Sequence, residues 1–367
     1  MYESTLKLLN KINSAGFKSY VVGGYVRDLY LGRHSMDVDI CTNATPQELK
    51  NIFGDAMLSS VQYGSVTVMY HNIRFEITTF RQEIKYENNR LPVKIKYIDS
   101  LIDDLRRRDF IINTLCMDEN GEIIDLLGAK EDLDNKIIRM VGNPKKRLKE
   151  DALRILRAIR FATILNFKLD DELKKYIKKY GYLLKKLSYY RKQSELEKIF
   201  TSVNANYGIE LLKELDLIRH LELSNIDSLV ITPNLIGIWA QLDVEDIYSF
   251  SSHDKKTIKE IKELLNLDLY DAKVLYKYGL YNCSIAGEIK NISKKIITKK
   301  FNDLVIHSQK DIEISGKDIA KVLNKKPGNY IKLIFNDLEN VILDGKVENN
   351  YSDLKSYIIQ NYSDTQK

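Results

Sequence analysis

The chain is poor in the residues that would mark a secreted, metal-stapled or membrane-embedded protein. Of 367 residues only 3 are cysteine. Cys41, Cys116 and Cys283 are odd in number and widely separated, so they suggest neither a disulfide framework nor a zinc pattern. No apolar run approaches the ~18 residues of a membrane span. Met1-Tyr2-Glu3-Ser4 passes directly into Leu/Lys periodicity, without the apolar stretch of a signal peptide. The expectation is a reduced, cytoplasmic protein with no membrane partner. Charge of one sign is also lacking: 57 Lys+Arg against 51 Asp+Glu leave +6, too mild a balance to establish a nucleic-acid partner. The distribution says more. Basic residues cluster at Arg106 to Arg108, at Lys145-Lys146-Arg147 with Lys149, at Lys174 to Lys192 and at Lys294 to Lys300, which is the footprint of a polyanion or the solvated face of lysine-rich helices.

What is present divides the chain in two. The first ~125 residues read as α/β by hydrophobic periodicity. Tyr2 to Ala15 predicts an amphipathic helix, Lys18 to Val22 a strand, and Tyr25 to Leu31 a short helix. Asp37 to Cys41 predicts a strand, and Thr45 to Phe53 a helix opened by a Thr-Pro pair. Ser65 to Tyr70 and Ile73 to Thr79 predict a hairpin turning at His71-Asn72. From Pro144 onward strand signals nearly vanish, and helical Leu/Ile/Lys periodicity runs to the end. A catalytic α/β head on an elongated all-helical body is the simplest architecture.

Three segments carry chemistry. In Asp37-Val38-Asp39-Ile40 strand alternation puts both carboxylates on one face. They would repel unless a divalent cation sat between them, and magnesium, which takes oxygen ligands and keeps phosphate in its shell, suits that pair. Glu76, a lone acid in Phe75-Glu76-Ile77, is the candidate third carboxylate. Upstream, Val22-Gly23-Gly24-Tyr25-Val26-Arg27-Asp28 makes a turn whose backbone N–H groups can approach phosphate, with Arg27 one turn along as a charged fork. In Glu150-Asp151-Ala152-Leu153-Arg154-Ile155-Leu156-Arg157-Ala158-Ile159-Arg160, one helix would make Asp151 and Arg154 i,i+3 neighbours. Its apolar residues leave no wide polar face, so several charges should point into an enclosed place. An acceptor beside a donor fork there can pair with the edge of a base.

These segments resemble the motifs of class II tRNA nucleotidyltransferases, the bacterial CCA-adding enzymes of the polymerase β-like nucleotidyltransferase superfamily. Gly23 to Asp28 is similar to the nucleotide-binding turn, and Asp37 with Asp39 to the metal-binding pair. Thr78-Thr79-Phe80-Arg81 through Arg107-Arg108-Asp109-Phe110 is similar to the flexible loop and second motif. Glu150-Asp151 with Arg154 resembles the protein template that selects C or A, and Ser188, Arg191 and Glu195 resemble a further helical motif. Ser315-Gly316-Lys317-Asp318 and Asp344 to Asn349 resemble the tail, so the likeness covers essentially the whole chain. The resemblance implies an α+β fold: a nucleotidyltransferase head with a mixed sheet at 1–142, then a helical neck at 143–205, a body at 206–300 and a tRNA-binding tail at 301–367. It implies transfer of CMP, CMP and AMP from CTP and ATP to the 3'-hydroxyl of tRNA, with release of pyrophosphate. Gly24, Arg27, Arg108, Asp151, Arg154, Arg157 and Arg160 would contact nucleotide; Asp37 and Asp39 would hold Mg2+ with Glu76 assisting. A homodimer is left open. The basic and aromatic stretch Lys174 to Lys192, and Lys294 to Lys300, become candidates for tRNA phosphate contacts. One departure stands in the loop Tyr86-Glu87-Asn88-Asn89-Arg90-Leu91-Pro92, where relatives carry a more acidic stretch ending in two arginines before the proline. Its complete length argues against a relative that adds only CC, while its altered residues keep open one that adds only the final A. His253-Asp254, the dipeptide of a phosphohydrolase site, lacks the companion histidines and aspartates that such a site needs.

Overall fold

The computed structural model describes residues 2–56, 64–87 and 91–363. It forms two compact units, Met1–Leu223 and Ser224–Lys367.

The first unit is built on a mixed sheet whose centre is β1 (Ser19–Val22), entered from α1 (Tyr2–Ser14) and left through α2 (Gly24–Tyr30). β2 (Asp39–Thr42) lies antiparallel beside β1, pairing Asp39 with Val22. After α3 (Pro46–Phe53), β3 (Ser65–Tyr70) and β4 (Ile73–Thr79) form the expected hairpin. Its turn residues His71 and Asn72 both have positive φ, 49° and 60°, the backbone of a two-residue turn that follows strand twist. α3 starts where Thr-Pro predicted, with Thr45 and Glu48 capping each other's backbone N–H. Two further strands, β5 (Arg81–Glu87) and β6 (Leu91–Tyr97), pair as a separate antiparallel ribbon. The sequence reading placed no strands there. Of the loop it singled out, Asn88 to Arg90 lie outside the described residues.

α4 (Leu101–Arg106) leads to β7 (Cys116–Met117) and β8 (Ile123–Ile124), completing a sheet ordered β3-β4-β2-β1-β7-β8. All neighbours are antiparallel except β2 and β4, whose parallel ladder sets Asp39 opposite Glu76. One face of the sheet buries Val22, Cys41, Phe80, Leu105 and Cys116 together. This apolar floor holds the strand ends that bear the charged residues.

Past α5 (Ala129–Asp134), β9 (Ile137–Ile138) and α6 (Pro144–Glu150) comes α7 (Leu153–Leu165), the most buried helix of the unit. Two expectations are corrected here. Strand structure does not end at Pro144, because β10 (Lys168–Leu169) pairs in parallel with β9; two-residue strands are too short to show alternation and exist only by virtue of the partner. Nor is 150–160 one helix. Asp151 is extended (φ −143°, ψ 104°) and its carboxylate accepts the N–H of Leu153 at 3.0 Å, competing with helix continuation as aspartate does. α8 (Asp171–Tyr180), α9 (Tyr189–Phe200), α10 (Ala205–Glu214) and α11 (Ile218–Leu221) close the unit.

The second unit is helical throughout its described residues: α12 (Leu235–Trp239), α13 (Ser252–Leu265), α14 (Ala272–Ile289), α15 (Lys294–Asn302), α16 (Gly316–Val322), α17 (Tyr330–Leu343) and α18 (Tyr351–Tyr362). Isoleucine and leucine dominate its core, with Ile306, Ile319, Ile334, Leu338, Leu354 and Ile358 fully enclosed. α14 kinks at Gly279 (φ 75°, ψ 165°), backbone that side-chain-bearing residues resist. Asp254 of the His-Asp dipeptide serves the start of α13, where Ser251 and Asp254 exchange hydrogen bonds. No helix among the described residues is long and apolar enough to cross a membrane.

Candidate nucleotide-binding and catalytic site

The first unit holds a cleft of about 470 Å3 between the strand ends and α7. Its floor begins at the glycine turn. Gly23 has φ 81° and ψ −135°, backbone that is nearly glycine's alone and costs another residue roughly 1–3 kcal/mol. A Cβ there would stand 3.6 Å from Arg108 Nη1 and 3.7 Å from Asp39 Oδ2. The turn therefore opens a bare patch of main chain between a guanidinium and a carboxylate.

The expected strand begins two residues later than the sequence implied, with Asp39 opening β2 and Asp37 just before it, yet the aspartates share a side as expected. Val38 and Ile40 are buried while Asp37 and Asp39 face the cleft. Asp39 keeps contact with solvent at the cleft mouth, yet protein crowds it on most sides. That burial, then the negative charges of Asp37 and Glu76, push its carboxyl up to about 6 against the pull of Arg108. Such a group is short of positive charge, and oxygen-only donors at this spacing fit a hard divalent cation completed by phosphate. Among the described residues no three acidic, histidine or cysteine side chains converge as a preformed cage. Glu76 stands beside Asp39 across the ladder but is not among the residues lining the cleft.

Every arginine expected to meet nucleotide reaches the cleft, each except Arg108 tethered by an oxygen at 3.0 Å or less. Arg27 donates to Asn113 Oδ1 at 2.7 Å and to both oxygens of Asp28. Arg154 donates to the Arg147 carbonyl at 2.8 Å and to Glu150 at 3.3 Å. Arg157 forks onto Asp109, its Nε at 2.7 Å, and Arg160 reaches Glu195 at 2.6 Å. Among the described residues Arg108 has a single long bond, to Asp104 at 3.4 Å, and its buried Nε finds no hydrogen-bond partner. The atom beside the glycine turn is Arg108 Nη1, where an incoming oxyanion would meet a charged donor. Gly24 and Asp151 also line the cleft. Burial pushes the Asp151 carboxyl up, partly offset by Arg154 and by the Leu153 N–H.

The structure adds residues that the sequence reading had given no role. Phe161 lies under three guanidinium groups, with Arg160 at 4.2 Å, Arg27 at 5.3 Å and Arg157 at 5.6 Å from its ring centre, an attraction of cation to π face. Asp109 collects Arg157, Asn113 and the Phe110 N–H. Burial opposes its charge, but these donors outweigh it and hold the carboxyl near 2. A signal for Phe161 existed: it follows Arg157 by four residues, on the same helix face. None existed for Ser35, which enters the cleft from an irregular segment.

Known proteins share these features over nearly the full length. Residues 19–139 match the family model "Poly A polymerase head domain". Residues 166–226 match "Probable RNA and SrmB- binding site of polymerase A", and residues 248–358 match "tRNA nucleotidyltransferase domain 2 putative". The CCA-adding enzyme of Ligilactobacillus salivarius strain UCC118 is 34% identical over 98% of this chain and 96% of its own length. That of Anoxybacillus flavithermus strain DSM 21510 / WK1 is 33% identical over 98% and 97%. Among solved structures, the Bacillus stearothermophilus CCA-adding enzyme in complex with CTP superposes with a TM-score of 0.85 at 26% identity, covering 98% of this chain and 97% of that one. A Thermotoga maritima CCA-adding enzyme complexed with tRNA shares the fold, with a TM-score of 0.69 at 20% identity over 97% and 94% of the chains.

Proposed function

The chain belongs to the family of CCA-adding tRNA nucleotidyltransferases, and on that premise we propose that it builds and repairs the 3'-terminal CCA of tRNA in the cytoplasm. Family membership implies use of a divalent metal; the finer assignment is magnesium held by Asp37 and Asp39, with Glu76 assisting. The ion, when bound, supplies charge neutralisation at the α-phosphate and activation of the attacking hydroxyl.

The observation that carries the reading is that α6 and α7 aim Asp151 and Arg154 into the same cleft as the glycine turn and both aspartates. One wall can thus hold phosphate while the opposite wall reads a base, with no nucleic-acid template. Gly23 and Gly24 let main chain approach the triphosphate. Arg27 and Arg108 grip phosphate and ribose as charged forks. Asp151 accepts from, and Arg154 donates to, the edge of C or A. Arg157 and Arg160 complete the nucleotide contacts. The tRNA 3'-hydroxyl attacks the α-phosphate of CTP, again of CTP, then of ATP, and pyrophosphate leaves each time. In this reading residues 1–142 are the head, 143–205 the base-selecting neck, 206–300 the body and 301–367 the tail. The exposed lysines of α8 and α15 then contact tRNA phosphates, which position the substrate without reading sequence.

The test offers purified protein three tRNA transcripts, ending at the discriminator base, at C or at CC, with labelled CTP and ATP separately and together. Addition of C, C and A, stopping there, is expected. Adenylation of the CC-ended transcript alone would make it an A-adding enzyme. An unbounded A tail would make it a poly(A) polymerase.

A further inference from the structure

Arg147 belongs to no motif that the sequence reading assigned a chemical role, yet its guanidinium joins the two walls of the cleft. On one side Nη2 donates to the main-chain carbonyls of Arg107 and of Arg108, the latter at 2.6 Å. On the other, Nη1 donates to Glu150 Oε2 at 2.9 Å. The same Glu150 oxygen accepts from Arg154, and the Arg147 carbonyl itself accepts from Arg154 at 2.8 Å. One residue therefore touches the backbone that carries Arg108 and, by two routes, the side chain of Arg154. The span is long in sequence, 39 residues from Arg147 to Arg108, and among the described residues no other side chain bridges those two carbonyls.

The carbonyls that Arg147 binds sit where α4 has ended: the Arg108 N–H still bonds the Leu105 carbonyl at 3.1 Å, but the carbonyls of Arg107 and Arg108 find their donor in Arg147. Below it, the fully buried Asp104 accepts from Arg107 Nε at 2.7 Å. Arg147 is thus the tie from the other side, and it is 11% exposed at its side chain. A guanidinium suits this place because it is planar and can serve two carbonyls and a carboxylate at once. A lysine ammonium could not keep that fork.

We propose that Arg147 is a positioning residue that sets the phosphate-holding Arg108 and the base-reading Asp151–Arg154 segment in register, so that base choice depends on it although it lines no part of the nucleotide cleft. The inference rests on the function proposed above. It makes the selection of C and A over other bases a property of the distance between two walls, and not only of the residues that face the base. Arg154 without the tie keeps its charge but loses its fixed reach from the phosphate site.

Arg147→Lys tests this, with Arg147→Gln as a second variant and Glu150→Gln as the partner on the other wall. Dissociation constants for CTP, ATP and UTP are measured without tRNA, and the ratio of wrong-base to correct-base addition is measured with it. Thermal unfolding is followed in parallel. Expected for Arg147→Lys is a rise of about tenfold in the wrong-to-correct ratio, with weaker binding of both CTP and ATP. Glu150→Gln should move the ratio in the same direction by less, and ethylguanidinium should partly restore Arg147→Gln. A ratio within twofold of the parent for both Arg147 variants, whatever their melting temperatures, would overturn the proposal and leave Arg147 a structural tie. Failure of the parent protein to add C or A would instead strike the function itself, and the nucleotide dissociation constants would still judge the role of Arg147.

Discussion

Asp37 and Asp39 sit in a deliberately uncomfortable arrangement, two like charges on one strand end with a third acid on the neighbouring strand. Their apolar neighbours Val38 and Ile40 are buried, so the carboxylates cannot turn away, and a cation is the direct relief. Asp37→Ala should abolish nucleotide incorporation while leaving the fold intact, checked by labelled CTP transfer alongside thermal melting. The roles across the cleft differ. Asp151→Ala should leave incorporation measurable but loosen the choice of base if, as proposed, its oxygen is offered to the base and not to the reacting phosphate. Sequencing the added nucleotides in mixed CTP, ATP and UTP checks this. Gly23 is a backbone requirement of a third kind. Gly23→Ala should lower stability by about 1–3 kcal/mol through its positive φ and weaken triphosphate binding, read by chemical denaturation and by titration with CTP.

At the scale of elements, α7 is held against the head by charge as well as by packing. Arg157 and Asp109 join it to the segment after α4, and Arg160 with Glu195 joins it to α9. Asp109 is held near 2 in the folded protein, below the ~3.9 of an unfolded aspartate. A depressed folded pKa contributes stability that is fully present above pH ~4 and is lost as pH falls toward 2, by about 2 kcal/mol. Urea unfolding as a function of pH should show that slope, and Asp109→Asn should remove it. Helix boundaries in this region were only half legible. The periodicity of Leu153 to Leu165 announced α7, but the break at Asp151 depends on one carboxylate hydrogen bond, which no pattern of apolar residues records. The ribbon of β5 and β6 also escaped sequence reading. In it Arg81 to Glu87 carries a charged or polar residue at five of seven places and announces nothing, whereas Leu91, Val93, Ile95 and Tyr97 do alternate with Pro92, Lys94 and Lys96, a period of two that the sequence reading passed over.

For the whole molecule, the division at Leu223 and Ser224 puts the entire cleft in the first unit. That unit has its own sheet and its own apolar floor. Residues 1–223 expressed alone should fold and bind CTP within a few-fold of the full chain. They should bind tRNA more weakly, with a shallower salt dependence, because the basic strip of α15 is gone. Calorimetry and filter binding over a salt series check both halves.

The local sequence alone determined what local physics can determine here: the glycine turn, the paired aspartates at the start of β2, the Thr-Pro helix start and the His71-Asn72 hairpin. Each of these follows from backbone sterics or from a period of two or 3.6 within a few residues. Tertiary structure alone decided which charges would be free. Arg154, Arg157 and Arg160 looked alike along the chain, yet each is tied to a different acid or carbonyl, and Arg108 keeps a donor without a partner among the described residues. The partners Asp109 and Glu195 lie 48 and 35 residues away from their arginines. Only the packing of α7 against α9 and against the segment that carries Asp109 brings them within hydrogen-bond reach, and periodicity carries no information about that distance.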